Sequence, residues 1–204
     1  GFQEKLLKTK LVLVINVLFI GNYLSKQTGT MSISETISKN LDGKKFNSFL
    51  CSHIRNKFFR LLDFIIKTSF YNYDIIQIDV FSGPAFNISM ITSLIAKMRG
   101  KKIILTLRGG NLPNYYLINK KKINKVFSTA NHIQTPSTYI MNFFKHHNIT
   151  YMPNPIDISK FPFKLERSNA NKILWVRAFT EIYKPQLAVN VLKKIKVNYP
   201  NATL

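Results

Sequence analysis

Residues 11–21 (LVLVINVLFIG) are apolar at nearly every position and run into a polar, glycine-bearing loop at residues 21–30. A run this continuous fits a strand buried on both faces, since a half-exposed strand would alternate. The pattern returns at residues 73–80 (YDIIQIDV), closed by Ser82-Gly83-Pro84, and at residues 101–107 (KKIILTL), closed by Arg108-Gly109-Gly110-Asn111. Shorter strands are expected at residues 46–51, 132–135 and 149–152, the last broken by Pro153 and Pro155. Between them the hydrophobic period lengthens to that of helices: residues 32–41, 52–70, 85–99, a polar stretch around Lys120, and a helix to about His147 opened by Pro136-Ser137. Pro136 suits a first helical turn, where its missing donor would have no partner anyway. Ile54, Phe58, Leu61, Leu62, Ile65 and Ile66 share one stripe and are expected to be the buried side of their helix. Phe59, Phe143 and Phe144 are likewise expected at helix-core positions.

Strands alternating with helices imply a doubly wound, mostly parallel, Rossmann-like α/β sheet. Ligands of such sheets sit in the crevice beyond the carboxyl ends of the strands, which draws attention to the loops at residues 21–30 and 108–114. Residues 154–171 are proline-bearing, charged and irregular, and read as a linker. A fresh strand is expected at residues 172–179 (KILWVRAF) and a helix at residues 185–199. The expected organisation is therefore an N-terminal domain with its linker over residues 1–165, then the first β-α unit of a second, truncated Rossmann-like domain over residues 166–204. The chain opens on Gly1 without a methionine and closes on Asn201-Ala202-Thr203-Leu204, so both ends are expected to be edges of a longer protein.

Charge narrows the partners. The sequence carries 30 Lys and Arg against 9 Asp and Glu, a net charge of +21, which invites an anionic partner. Lysines are scattered, however, with Lys120-Lys121-Lys122 the one run of three, and this dispersal argues against nucleic acid. Nucleotide diphosphates, anionic lipid headgroups and an anionic membrane surface fit better, on a background of Lys, Ile and Asn that suggests AT-biased coding. Cys51 stands alone, so neither a disulfide framework nor a cysteine metal site is expected, and a reducing cytoplasm fits. The ten apolar residues 11–20 fall short of the roughly 20 that span a bilayer. Lys8 and Lys10 before them allow a signal-peptide core as the rival reading, but no small-residue cleavage site follows. The expected location is cytoplasmic, with peripheral attachment to the inner face of the membrane.

Several familiar chemistries lack their residues. No G-x-G-x-x-G fingerprint, P-loop, G-x-S-x-G elbow or D-x-D pair occurs, and His53, His132, His146 and His147 have no metal-ligand spacing. No metal and no cofactor is therefore expected.

Four segments remain, and their order matters. Gly21-Asn22-Tyr23-Leu24 follows the first strand, and Leu105-Thr106-Leu107-Arg108-Gly109-Gly110-Asn111-Leu112 follows the strand before Arg108. Ile149-Thr150-Tyr151-Met152-Pro153-Asn154-Pro155-Ile156-Asp157 precedes Phe161, and Ile173-Leu174-Trp175-Val176-Arg177-Ala178-Phe179-Thr180-Glu181-Ile182-Tyr183-Lys184-Pro185 opens the second domain. Together they resemble the retaining glycosyltransferases of the GT-B fold, within family four. The second resembles that family's "L-x-HGG-x" cleft loop, with Arg108 in place of its histidine. The third resembles its interdomain "PN-x-(I/V)-D" hinge, here Asn154, Pro155 and Asp157. The fourth resembles "VGRL-x-x-EKG", with Val176 and Pro185 in place of glycines.

The resemblance implies a metal-independent enzyme that moves a sugar from a nucleotide-sugar donor to a glycan or lipid-linked acceptor. It makes Arg177 and Lys184 the clamp on the donor's diphosphate. Gly21, Asn22, Gly109, Gly110 and Asn111 would line the cleft, and Arg108 is the candidate catalytic residue. The family's E-x7-E donor motif does not occur in these 204 residues, so the chain alone is expected to be inactive. Two other readings stay open: a non-catalytic basic module for an anionic surface or nucleic acid, and another GT-B-fold enzyme such as an epimerase or phosphorylase.

Overall fold

The computed structural model describes residues 14–41, 43, 45–163 and 171–204. Residues 11–13, the expected start of the first strand, lie outside them, as do Lys8 and Lys10. The chain divides into two compact units, one through Ile156 and one from Asp157, a division that falls inside the expected linker.

In the first unit the elements follow in the order β1 (Ile15–Ile20), α1 (Ser25–Thr28), α2 (Ile33–Leu41), β2 (Phe46–Cys51), α3 (Lys57–Phe70) and β3 (Ile75–Val80). A 3-10 turn (Gly83–Ala85) leads into α4 (Phe86–Met98), then β4 (Lys102–Leu107), α5 (Leu112–Phe127), β5 (His132–Thr135), α6 (Thr138–Phe143) and β6 (Ile149–Tyr151). The six strands form one parallel sheet in the order β2-β1-β3-β4-β5-β6. The chain thus steps from β1 to β2 in one direction, then returns past β1 to build the rest of the sheet. With right-handed crossovers, that reversal places α2 on one face and α3 to α6 on the other.

Strand alternation sorts the side chains accordingly. Leu18, Ile20, Ile76, Ile78, Val80, Ile103, Leu105 and Leu107 join Phe64 of α3, Ala96 of α4, Ile123 of α5 and Ile140 of α6 in the larger core. Val17 and Phe19 point the other way, against Ile37 and Leu41 of α2. Past β1 this second face turns polar: Gln77, Thr106 and Gln134 are buried on it, and Gln134 donates to Thr106 Oγ1 at 3.0 Å. Among the described residues no helix is long and apolar enough to cross a membrane.

Helix starts follow capping chemistry. α2 opens with a capping box in which Glu35 N–H donates to Ser32 Oγ (3.2 Å) and Ser32 N–H to Glu35 Oε2, with Ser25 Oγ donating to Oε1 (both 2.6 Å). Burial raises the Glu35 pKa, but the bonds from Ser25 and Ser32 outweigh it and hold the carboxyl below its ordinary value.

Three expectations are corrected at the helices. α3 starts at Lys57 instead of residue 52, because Asn56 Oδ1 accepts from Phe58 N–H (2.9 Å) and Phe59 N–H (3.3 Å). Its buried side is Phe64 and Thr68, with Leu61 and Ile65 half-buried, while Phe58, Phe59, Leu62 and Ile66 face outward. Phe143 is half-exposed too, and of the expected core phenylalanines only Phe144 is buried. Pro136 precedes the cap of α6: Ser137 Oγ accepts from Ile140 N–H at 3.3 Å, and the helix stops at Phe143, with residues 144–146 in a turn.

In the second unit the expected strand at residues 172–179 is reduced to one parallel bridge, Lys172 to Thr203. Ile173 N–H donates to Thr203 O (2.8 Å) and Thr203 N–H to Asn171 O (2.9 Å). A lone parallel pair of this length has too few partners to hold a strand. The helix starts where expected but ends four residues early, α7 (Pro185–Ile195), its backbone entering through Lys184 at φ 47°.

Phe64, buried under α3, and Phe70, exposed near its end, give a stability contrast. Phe64→Ala should cost about 3–5 kcal/mol, the usual range for a buried aromatic. Phe70→Ala, six residues along the same helix, should stay within roughly 0.5 kcal/mol because its ring is 80% exposed. Urea unfolding followed by circular dichroism measures both, and comparable losses would contradict the assigned face.

Candidate functional site

The reversal of strand order puts the switch point of the sheet between β1 and β3. At the carboxyl ends of those strands the chain builds a compact polar network. Asp79, the penultimate residue of β3, receives Arg108 Nε at 2.6 Å and Ser34 Oγ at 2.9 Å. Arg108 stands just past β4, its own N–H donating to Val80 O at 3.0 Å. Its Nη1 reaches Asn154 Oδ1 at 3.0 Å and its Nη2 reaches Ser34 Oγ at 3.4 Å. One guanidinium thereby ties together β3, β4, α2 and the segment after β6.

The pair is nearly dry, with side chains 13% and 7% exposed for Arg108 and Asp79. Burial pushes the Asp79 pKa above its ordinary value, and Arg108 and Ser34 only partly offset that. Tyr23, fully buried beside it, has its hydroxyl pKa raised well above normal by burial first and by the Asp79 charge second. Its Oη has no hydrogen-bond partner among the described residues, although Ser34 is close enough to favour the ionised form.

Gly21 closes the inner wall of this cluster. A Cβ there would lie 2.8 Å from Tyr23 Oη and 3.0 Å from Asp79 Oδ2, inside contact distance of both. The loop is held from behind, since Gly21 N–H donates to Cys51 O (2.8 Å), Ser52 N–H to Gly21 O (3.0 Å) and Tyr23 N–H to Ser52 O (3.1 Å). His53 Nδ1 lies 2.7 Å from Tyr23 O, and because a carbonyl only accepts, the ring nitrogen donates.

The other expected cleft residues divide. Gly109 packs against the β3–α4 connection, where an added Cβ would meet Ser82 N at 3.1 Å, so the close approach it permits is to the protein's own backbone. Gly110 has open space beside it. Asn111 precedes α5 and accepts from Asn114 Nδ2 at 3.1 Å. Asn22 turns to α3, accepting from Arg60 Nη1 at 2.6 Å. Ile33, Ile37, Thr106, Gln134 and residues 152–155, Pro155 among them, surround a small crevice that Arg108 also lines.

The remaining expected residues belong to the second unit. Asp157 Oδ1 accepts from Ser159 Oγ (2.6 Å) and Ser159 N–H (3.2 Å), capping a 3-10 turn (Ile158–Lys160). Arg177 lays its guanidinium 5.3 Å over the Tyr183 ring, and Lys184 follows that ring directly in sequence. Both cations are exposed, and among the described residues neither forms an ion pair.

Sequence reasoning missed Asp79 and Ser34. Asp79 had a signal, a carboxylate near the end of a buried, mostly apolar strand, where only a partner makes burial tolerable.

Removing Arg108 should expose that dependence. Arg108→Ala leaves a buried carboxylate without its cation, a change that costs about 3–5 kcal/mol near neutral pH. With its pKa raised in the folded state, Asp79 is disfavoured only when ionised, so it weakens folding as pH climbs through the ordinary carboxylate value and beyond. The deficit of Arg108→Ala should therefore shrink as pH falls toward that value, and urea midpoints across pH measure it. A deficit independent of pH would mean that Asp79 is not the group left stranded. Compared with protein-family models, with curated proteins and with solved structures, the chain has no match.

Proposed function

We propose that this chain is the acceptor-side part of a retaining, metal-independent glycosyltransferase of the GT-B type, with the second unit opening its donor-binding domain. The enzyme moves a sugar from a nucleotide-sugar to a glycan or lipid-linked acceptor, in the cytoplasm at the inner face of a membrane. One observation carries the reading. The segments singled out by their sequence, at Gly21, at Arg108-Gly109 and at Asn154, meet at the switch point of a parallel sheet, where Arg108 and Asn154 bond across 46 residues of chain. Ligands of doubly wound sheets bind at that place.

The chemistry assigns separate tasks. Breaking the sugar–phosphate bond leaves growing negative charge on a nucleoside diphosphate, which fixed cations must stabilise. Arg177 and Lys184 supply them: the Tyr183 ring orients the first, and the left-handed backbone at Lys184 fixes the start of α7 next to the second. Arg108, with Nε, Nη1 and Nη2 all engaged, positions the cleft loop against Asp79 and Asn154 rather than reaching for the transferred sugar.

Two outcomes test the reading. Residues 1–204 alone should release no nucleoside diphosphate from UDP-, GDP- or ADP-sugars, because the E-x7-E motif does not occur in them; steady release would contradict the assigned division of the donor site. In a protein joining these residues to a complete donor domain, Arg177→Ala and Lys184→Ala should each lower kcat on the order of 10²-fold, as loss of one preorganised charge partner does. Near-normal kcat/KM in both, with folding intact, would remove the clamp assignment.

A further inference from the structure

The helical layer over the larger core turns much apolar surface outward, and α3 is its extreme. Phe58 (65% exposed), Phe59 (58%), Leu62 (39%), Ile66 (53%) and Phe70 (80%) all project away from the sheet. At the angular step of an α-helix these five positions share an arc of about 120°, away from the side that buries Phe64 and Thr68. Singly exposed apolar residues are ordinary, but a continuous stripe with three phenylalanines marks a contact surface.

The charges around the stripe choose the partner. Arg55 and Lys57 stand exposed at its start. At its far end Arg99 Nη1 donates to Thr68 O (2.7 Å) and Tyr71 O (3.0 Å), and Arg99 and Lys101 flank the Tyr73 ring at 5.0 and 5.4 Å. Asp63, the sole acid of α3, is held by Lys67 at 3.1 Å. An apolar centre with cations at both ends, on a chain of net charge +21, complements a surface that is greasy below and anionic above. Nucleic acid would require the cations along the stripe itself, where none stands.

We propose that this face of α3 docks on an anionic membrane, its phenylalanines entering the headgroup–acyl boundary while Arg55 and Lys57 meet lipid phosphates. The inference rests on the membrane location proposed above and names the face that makes it; the sugar-transfer chemistry does not enter, since a non-catalytic module would use the same face.

Co-sedimentation of the 204-residue protein with vesicles of phosphatidylcholine, alone or mixed with phosphatidylglycerol, tests it. Binding should be confined to the mixed vesicles. The triple change Phe58→Ser, Phe59→Ser, Phe70→Ser leaves net charge untouched and should weaken partitioning by about tenfold or more, as the apolar contribution to interfacial binding predicts. Unchanged partitioning would overturn the proposal by leaving all binding to dispersed lysines. Should the triple variant lose affinity only by misfolding, visible in its circular dichroism, a second measurement decides. Phe70→Trp in a Trp175→Phe background should be quenched by brominated lipid, and absence of quenching would overturn the proposal. Loss of self-association in the triple variant, at unchanged lipid partitioning, would assign the face to a second copy and equally end it.

Discussion

A carboxylate at the end of a buried parallel strand has to be neutralised in place, and at Asp79 that requirement organises the whole cleft. Its two oxygens take Arg108 and Ser34, and Arg108 passes the constraint on to Asn154. Gly21 must then stay without a side chain, because the pair and the Tyr23 ring fill the space where one would go. Four segments distant in sequence are thereby fixed relative to one another by a single ionic contact. Such a pair adds little net stability compared with a well-packed apolar replacement, while removal of one partner strands the other's charge.

The polarity of the second sheet face follows the same logic. Over β1 and β2 the face is mostly apolar and covered by α2, with Ser48 paired to Ser38 of that helix, while over β3 to β5 it carries Gln77, Asp79, Thr106 and Gln134. A buried face of this composition stays stable only where its groups find each other, as Gln134 and Thr106 do. Gln77 Nε2 and Tyr23 Oη are buried without a hydrogen-bond partner among the described residues, both on this side of the sheet. On the helical side of the larger core Thr68 Oγ1 and Asn124 Oδ1 are likewise buried without a partner among the described residues, while the strand side chains that face that core are apolar.

The doubly wound sheet was legible because buried parallel strands write themselves as unbroken apolar runs, and five of the expected strand positions are strands within a residue or two at most. Residues 73–80 also contained the polar face, with Gln77 and Asp79 two apart, but an apolar-run reading averages that alternation away. The α3 stripe was misread for a physical reason: the helix is apolar over most of its circumference, so periodicity alone cannot say which arc faces the sheet. Asn56, whose side chain sets the true start of α3, was a cap signal within reach. Arg108 was legible as a residue of the cleft, whereas its engagement with Asp79 and Ser34 depends on strand order and helix placement that no local pattern encodes. In the second unit, a strand was expected from composition at residues 172–179, yet a strand exists through its neighbours, and there is one bridge.

Gly109 and Gly110 look interchangeable as letters, yet their surroundings make them opposites. A Cβ on the first would lie 3.1 to 3.6 Å from the backbone of Phe81 and Ser82, and one on the second would meet nothing within 4 Å. Under random drift the first position would admit a side chain only where the β3–α4 backbone yields by a few tenths of an ångström, while the second has room for one. Descendants of this chain would come to share an Arg-Gly pair followed by any residue, and a search pattern that demanded both glycines would pass over relatives that keep the same crevice.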